Sequence, residues 1–179
     1  MTKKSKKAKL NKKKRQRRKN IKTFFICLLV ALIAAALIRL VWIETVYVRS
    51  DAMSPRYVSG DIVAVNKLMD ATKVGRGDIV YASLNGYKLI RQVAGVEGDL
   101  IDVRDDVRYL VNTETGEEIC LGDAPNLNYG TIPHGAYFLL SLRLDDDAPD
   151  SRALGLITRS NIIGEPQSVL WPPSRMFKK

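Results

Sequence analysis

The chain has 179 residues, 46% of them apolar and 27% charged, a size and composition that fit one ordinary domain with an appendage and exclude a multidomain scheme. Its net charge of +10 points to a nucleic-acid binder only until the charge is located: residues 1–22 hold 13 basic side chains and no acid, leaving 16 basic against 19 acidic groups in residues 23–179. The body of the chain lacks the basic surface that phosphate recognition needs, so nucleic acid is excluded as its partner.

Residues 1–22 read as a basic cytoplasmic tail, solvated or resting on anionic lipid head groups. Residues 23–43, TFFICLLVALIAAALIRLVWI, carry one charge, Arg39. As a helix this stretch spans about 32 Å at ~1.5 Å per residue, close to the ~30 Å hydrocarbon thickness, so a single transmembrane anchor is predicted. Arg39 can snorkel outward beside Trp42, and Glu44 marks the water side. The positive-inside rule then places the N-terminus in the cytoplasm and residues 44–179 on the outer face of the cell membrane. A cleavable signal peptide is the competing reading, because Ala34-Ala35-Ala36 could supply a processing site. Apolar residues continue past it through Leu40, Val41 and Ile43, which favours an uncleaved anchor.

Beyond the anchor the apolar segments are short and rich in β-branched residues: 45–48, 61–65, 78–82, 89–96, 100–103, 107–111 and 137–142. Turn signals separate them, among them Ser59-Gly60-Asp61, Gly75-Arg76-Gly77-Asp78, Asn85-Gly86 and Gly98-Asp99. A compact, mostly β domain of antiparallel strands is therefore predicted over residues 44–179. Asn85-Gly86 between apolar runs predicts a type I′ hairpin that pairs Leu84 with Tyr87 and Val80 with Arg91. Cys27 and Cys120 form neither a disulfide framework nor a zinc cluster, and the single His134 excludes an all-His site. No metal and no cofactor are expected. Asp145-Asp146-Asp147 lacks the ordered spacing of a calcium loop and reads as a solvated acidic turn. The closing Trp171-Pro172-Pro173 and Arg175 to Lys179 combine aromatics with cations, which suits either contact with a membrane or partner or packing at a strand end.

Three segments carry a family resemblance. Directly after the anchor, Ser50-Asp51-Ala52-Met53-Ser54-Pro55 followed by Gly60-Asp61 resembles the first sequence box of type I signal peptidases, Ser-x-Ser-Met-x-Pro and then Gly-Asp. Arg91-Gln92-Val93-Ala94-Gly95-Val96-Glu97-Gly98-Asp99 is similar to that family's Lys-Arg-Val-x-Gly-x-Pro-Gly-Asp, and Asp150-Ser151-Arg152 to its Asp-Ser-Arg. The resemblance covers about residues 20–165 and implies a β module at the membrane surface that acts on exported precursor polypeptides. It also implies a Ser nucleophile and a neutral Lys base. The same alignment puts Ala52 at the nucleophile position and Arg91 at the base position.

Alanine has no oxygen to attack a carbonyl. Guanidinium, with a pKa above ~12, accepts no proton near neutrality. The expectation is thus a signal-peptidase-like protein without peptidase activity, whose peptide-cleft candidates are Ser50, Met53, Ser54 and Pro55. Gly60, Asp61, Gly95, Gly98, Asp99, Asp150, Ser151 and Arg152 are its framework. Family members lacking both dyad residues are linked to sortase-built pili in Gram-positive bacteria, so the resemblance implies a pilin precursor and sortase-type machinery as partners besides membrane lipid, and a chaperone or accessory role. The alternative is an active type I signal peptidase with a relocated nucleophile, Ser50 or Ser54. Against it, a shift of two residues moves the hydroxyl by about 6 Å at extended spacing. Lys88, three residues from Arg91 in a predicted strand, points to the opposite face, and Lys67 has no positional argument as a base.

Overall fold

A computed structural model describes residues 3–176 apart from 125 and 126, so the terminal Phe177-Lys178-Lys179 of the aromatic and cationic segment lies outside the described residues. The chain divides into two units, Met1–Val41 and Trp42–Lys179. Helix α1 (Lys3–Trp42) makes the first, running unbroken through the basic tail because Lys, Arg, Leu and Ala favour helix and no Gly or Pro interrupts them. Within it Asn20–Leu37 has a mean hydropathy of 2.2, long and apolar enough to cross a membrane. The helix ends at Trp42, where the β-branched residues of Ile43-Glu44-Thr45-Val46 favour extended backbone.

The second unit is built almost wholly of strands: β1 (Ile43–Tyr47), β2 (Ile62–Asn66), β3 (Ile79–Leu84), β4 (Tyr87–Gly95), β5 (Leu100–Arg104), β6 (Val107–Val111), β7 (Glu118–Gly122), β8 (Gly130–Thr131) and β9 (Ala136–Leu140). A one-turn helix, α2 (Ser151–Leu154), precedes β10 (Ile157–Thr158) and β11 (Ile162–Trp171). Seven strands form one sheet in the order β1-β2-β11-β3-β4-β9-β10, and four form another in the order β7-β6-β5-β8, every pairing antiparallel. This is the mostly β, antiparallel fold expected from the sequence. The Asn85-Gly86 hairpin has the predicted register, Leu84 opposite Tyr87 and Val80 opposite Arg91, with both turn residues at positive φ, 50° and 82°, as a type I′ turn requires.

Alternation along the strands divides the interior. Tyr81 and Ile90 join Val48, Met53, Tyr57, Val63, Val65 and Val169 in one cluster. Val80, Ala82, Leu89 and Val93 face the other way, against Tyr137, Leu139 and Ile157. The small sheet packs Ile101, Leu110 and Leu121 on Ala136, Phe138 and Leu140. Strand β9 is therefore buried on both faces along its whole length.

The seven-stranded sheet is open along β1 and along half of β4. Among the described residues β1 pairs with β2 alone and β4 pairs with β9 only from Gln92 onward, so residues 87–91 keep one unpaired side.

Candidate functional site

The loop from Val48 to Asp61 closes on itself through its backbone. Val48 N–H donates to Asp61 O at 2.8 Å and Gly60 N–H to Val48 O at 3.0 Å, while Gly60 takes φ 93°, open to glycine without strain. Asp61 then turns its buried carboxylate back on the turn, accepting from Val58 N–H at 3.0 Å and from Arg175 Nε at 3.1 Å. Gly98-Asp99 repeats the device: φ 90° at Gly98, Val96 N–H on the Asp99 carboxylate at 2.8 Å, and an arginine, Arg76, whose Nη2 donates to both carboxylate oxygens at 2.6 and 2.7 Å. Gly77-Asp78 makes the same turn, with Gly75 N–H on the Asp78 carboxylate at 2.8 Å. Three of the four Gly-Asp dipeptides, those at 60–61, 77–78 and 98–99, thus make one and the same turn unit. Arg76 and Arg175, which hold two of them, stand in the sequence only as parts of a turn signal and of the closing cationic segment, and these contacts give them their role.

Inside the first loop Met53 and Ala52 are fully enclosed, and Met53 packs with Val48, Tyr57 and Ile90. Ser54 N–H donates to Asp51 O at 2.9 Å, and the exposed Pro55 presents its carbonyl to Arg175 Nη2 at 3.1 Å. The Ala52 carbonyl accepts from Arg143 N–H at 2.9 Å, tying this loop to the stretch after β9. That stretch leads to Asp150, which caps α2 by accepting Arg152 N–H at 3.0 Å. Beyond the end of β10, Leu139 N–H finds Ser151 Oγ at 2.9 Å and Ser141 N–H finds Asp150 Oδ2 at 3.2 Å. Asp150-Ser151 therefore continues the sheet for two alternate amides, those of Leu139 and Ser141, that would otherwise be buried without these partners. Gly95 has no room for a side chain, since a Cβ there would lie 2.8 Å from Ile132 Cδ1 and 2.9 Å from Phe138 Cβ.

Between β1 and the open half of β4 runs a cleft of about 690 Å³, lined by both strands and by Arg49, Ser50, Met53, Tyr81, Ala148 and Pro149. Ser50, Met53 and Arg91 meet there; Ala52, Ser54 and Pro55 do not line it. Arg91 is 5% exposed. Its Nη1 donates to Ile90 O at 2.6 Å and its Nη2 to Pro149 O at 2.9 Å. Burial pushes the Arg91 pKa down from that of a free arginine, against the pull of Asp150 and Asp146, yet a guanidinium stays cationic near neutrality. Across the cleft Glu44 collects Lys88 Nζ and Tyr81 Oη at 3.3 Å each and Lys67 Nζ at 3.8 Å. Its hydrogen bond raises the pKa of Lys88, which keeps that amine protonated at neutral pH.

The arrangement can hold an extended chain and offer it cations. Comparison with known proteins places it. The model of the signal peptidase, peptidase S26 family matches residues 19–171. Signal peptidase I P of Bacillus subtilis subsp. natto is 27% identical over 167 residues, covering 84% of this chain and 89% of that protein. Signal peptidase IB of Staphylococcus aureus strain N315 is 29% identical over 147 residues, covering 70% and 76%. A crystal structure of a signal peptidase I from Enterococcus faecalis V583 aligns over 52% of this chain and 96% of that one, at 22% identity and a TM-score of 0.34. The family match extends over most of the sequence, from α1 to the end of β11, and the chain belongs to the signal peptidase, peptidase S26 family.

Proposed function

We propose that this protein binds an exported polypeptide in the cleft between β1 and β4 without cutting it, as an accessory or chaperone factor held at the cell membrane by α1. The observation that carries the reading is Arg91: a cation at the base position of the family motif, with both Nη atoms engaged by backbone carbonyls on the cleft wall. It accepts no proton, and at the nucleophile position Ala52 offers only a methyl group. Lys88, the nearest other amine on β4, is held protonated by Glu44. Binding would use the unpaired sides of β1 and of residues 87–91, where main-chain hydrogen bonds add an incoming strand to an exposed edge. In this topology the basic tail is cytoplasmic and residues 44–179 are outside, and a pilin precursor with sortase-type machinery are the partners the resemblance implies.

A second reading has one observation in its favour: Ser50, two residues before Ala52, lines the same cleft as Arg91. In that case the protein is an active signal peptidase with a relocated nucleophile. Detergent-solubilised full-length protein incubated with a secretory precursor separates the two. Capture of the intact precursor by crosslinking, with no cleaved product, is the expected result. Cleavage that disappears in Ser50→Ala or Ser54→Ala would establish the enzyme instead.

A further inference from the structure

Arg91 has a property that its place in the family motif does not explain. Its Nε is buried and has no hydrogen-bond partner among the described residues. Among the described residues no carboxylate forms an ion pair with this guanidinium, although the side chain is almost entirely removed from water. The two acids in its neighbourhood are already engaged: Asp150 by Arg152, Ser141 and the α2 cap, and Asp146 by Ala148 N–H at 2.8 Å. A buried cation whose hydrogen bonds go only to neutral carbonyls is costly even with acids nearby, and a carboxylate in direct contact is the partner that offsets the cost.

The surroundings select the sign of that partner. Three cations, Arg49, Lys88 and Arg91, line the cleft against one acid, Glu44, whose oxygens are occupied by Lys67, Lys88 and Tyr81. The contact between Arg91 Nη1 and Ile90 O adds a route for binding. Ile90 stands on the side of β4 that β9 leaves unpaired, and its carbonyl is taken by a side chain in place of a strand. An N–H from a strand added at this edge would replace Arg91 Nη1 on that carbonyl and release the guanidinium toward the new chain.

We propose that Arg91 is the receptor for a carboxylate carried by the polypeptide that occupies the cleft, supplied either by an internal Asp or Glu side chain or by a chain-terminal carboxyl group. The inference rests on the reading of the cleft as a peptide site. Full-length protein in phosphatidylcholine nanodiscs tests it against three pools of fluorescent N-acetylated dodecapeptides whose remaining positions are degenerate but free of Asp and Glu. One pool has a central Gln and an amidated end, one a central Glu and an amidated end, and one a central Gln and a free carboxyl end. At least one acidic pool is expected to bind about tenfold more tightly than the neutral pool, as a charge-assisted hydrogen bond would give. The pool that gains identifies the source of the carboxylate. The preference is expected to vanish in Arg91→Gln. Equal binding of all three pools to the unaltered protein, a comparison that needs no variant, overturns the inference and leaves peptide binding standing. So does a preference that survives Arg91→Gln. Absence of binding by every pool overturns both the inference and the peptide reading beneath it.

Discussion

Asp150 shows how one side chain can serve capping, sheet and ion pair together. Burial by itself raises its pKa, but the guanidinium of Arg152 and the amides of Arg152 and Ser141 outweigh burial and hold the carboxyl below its ordinary 3.8. A group whose pKa is depressed on folding contributes stability that is complete above its unfolded value and is lost as pH falls through the folded one. The contribution of Asp150 is therefore present in full at neutral pH and disappears below about pH 4. In Asp150→Asn the amide keeps the shape and gives up the charge that holds Arg152. The variant is expected to unfold at lower temperature than the parent at pH 7, with the gap closing in acid as the parent loses its own charge. Thermal unfolding by circular dichroism across that range measures it, and a gap independent of pH would show that the carboxylate acts only through shape. Other carboxyls with lowered pKa, at Asp70, Glu118 and Asp145, lie at the surface and titrate in both proteins, so the difference between the two curves reports on Asp150.

At the scale of elements, legibility followed the range of the forces involved. The β3–β4 hairpin could be read in register because Asn85-Gly86 sets two positive φ angles locally. Strand β11, the longest at ten residues, could not, because Gly164 and Pro166 break its alternation and its register slips beside Pro166 where it meets β2. Strands β8 and β10 have two residues each and exist only through their neighbours, and α2 has a single turn. The candidate site divides in the same way: the positions Ala52, Arg91 and Gly-Asp could be named from motifs, whereas Glu44, Pro149, Arg76 and Arg175 come to them from far along the chain. Gly95 offers an element-scale test. It needs no positive φ, so its glycine is demanded by the meeting of β4, β9 and the segment at Ile132, not by the backbone. Gly95→Ala is expected to lower stability by roughly 1–3 kcal/mol through overpacking. Gly86→Ala meets no atom within 4 Å and is expected to lose about 1–2 kcal/mol through its φ of 82°. Adding Ile132→Val, which deletes the Cδ1 nearest the new methyl, should recover part of the first loss and none of the second in urea unfolding.

The whole molecule carries its own reporters of topology. Cys27 lies within the apolar stretch of α1, and Cys120 is exposed on β7 of the second unit, so one thiol belongs to each unit. If residues 44–179 lie outside the membrane, a charged, membrane-impermeant maleimide added to intact protoplasts reaches Cys120. Cys27, surrounded by lipid, is out of reach of a charged reagent and reacts only once the chain is denatured out of the lipid. The expected pattern is one label per chain on protoplasts, lost in Cys120→Ser, and two after denaturation. Labelling of Cys120 that requires lysis would place the β unit in the cytoplasm, reverse the positive-inside assignment and remove exported chains from the reach of the cleft. Labelling of Cys27 on intact protoplasts would show the helix exposed to water and so deny the anchor itself. The anchor and its direction are therefore tested separately, each by the chemistry of a single sulfur atom.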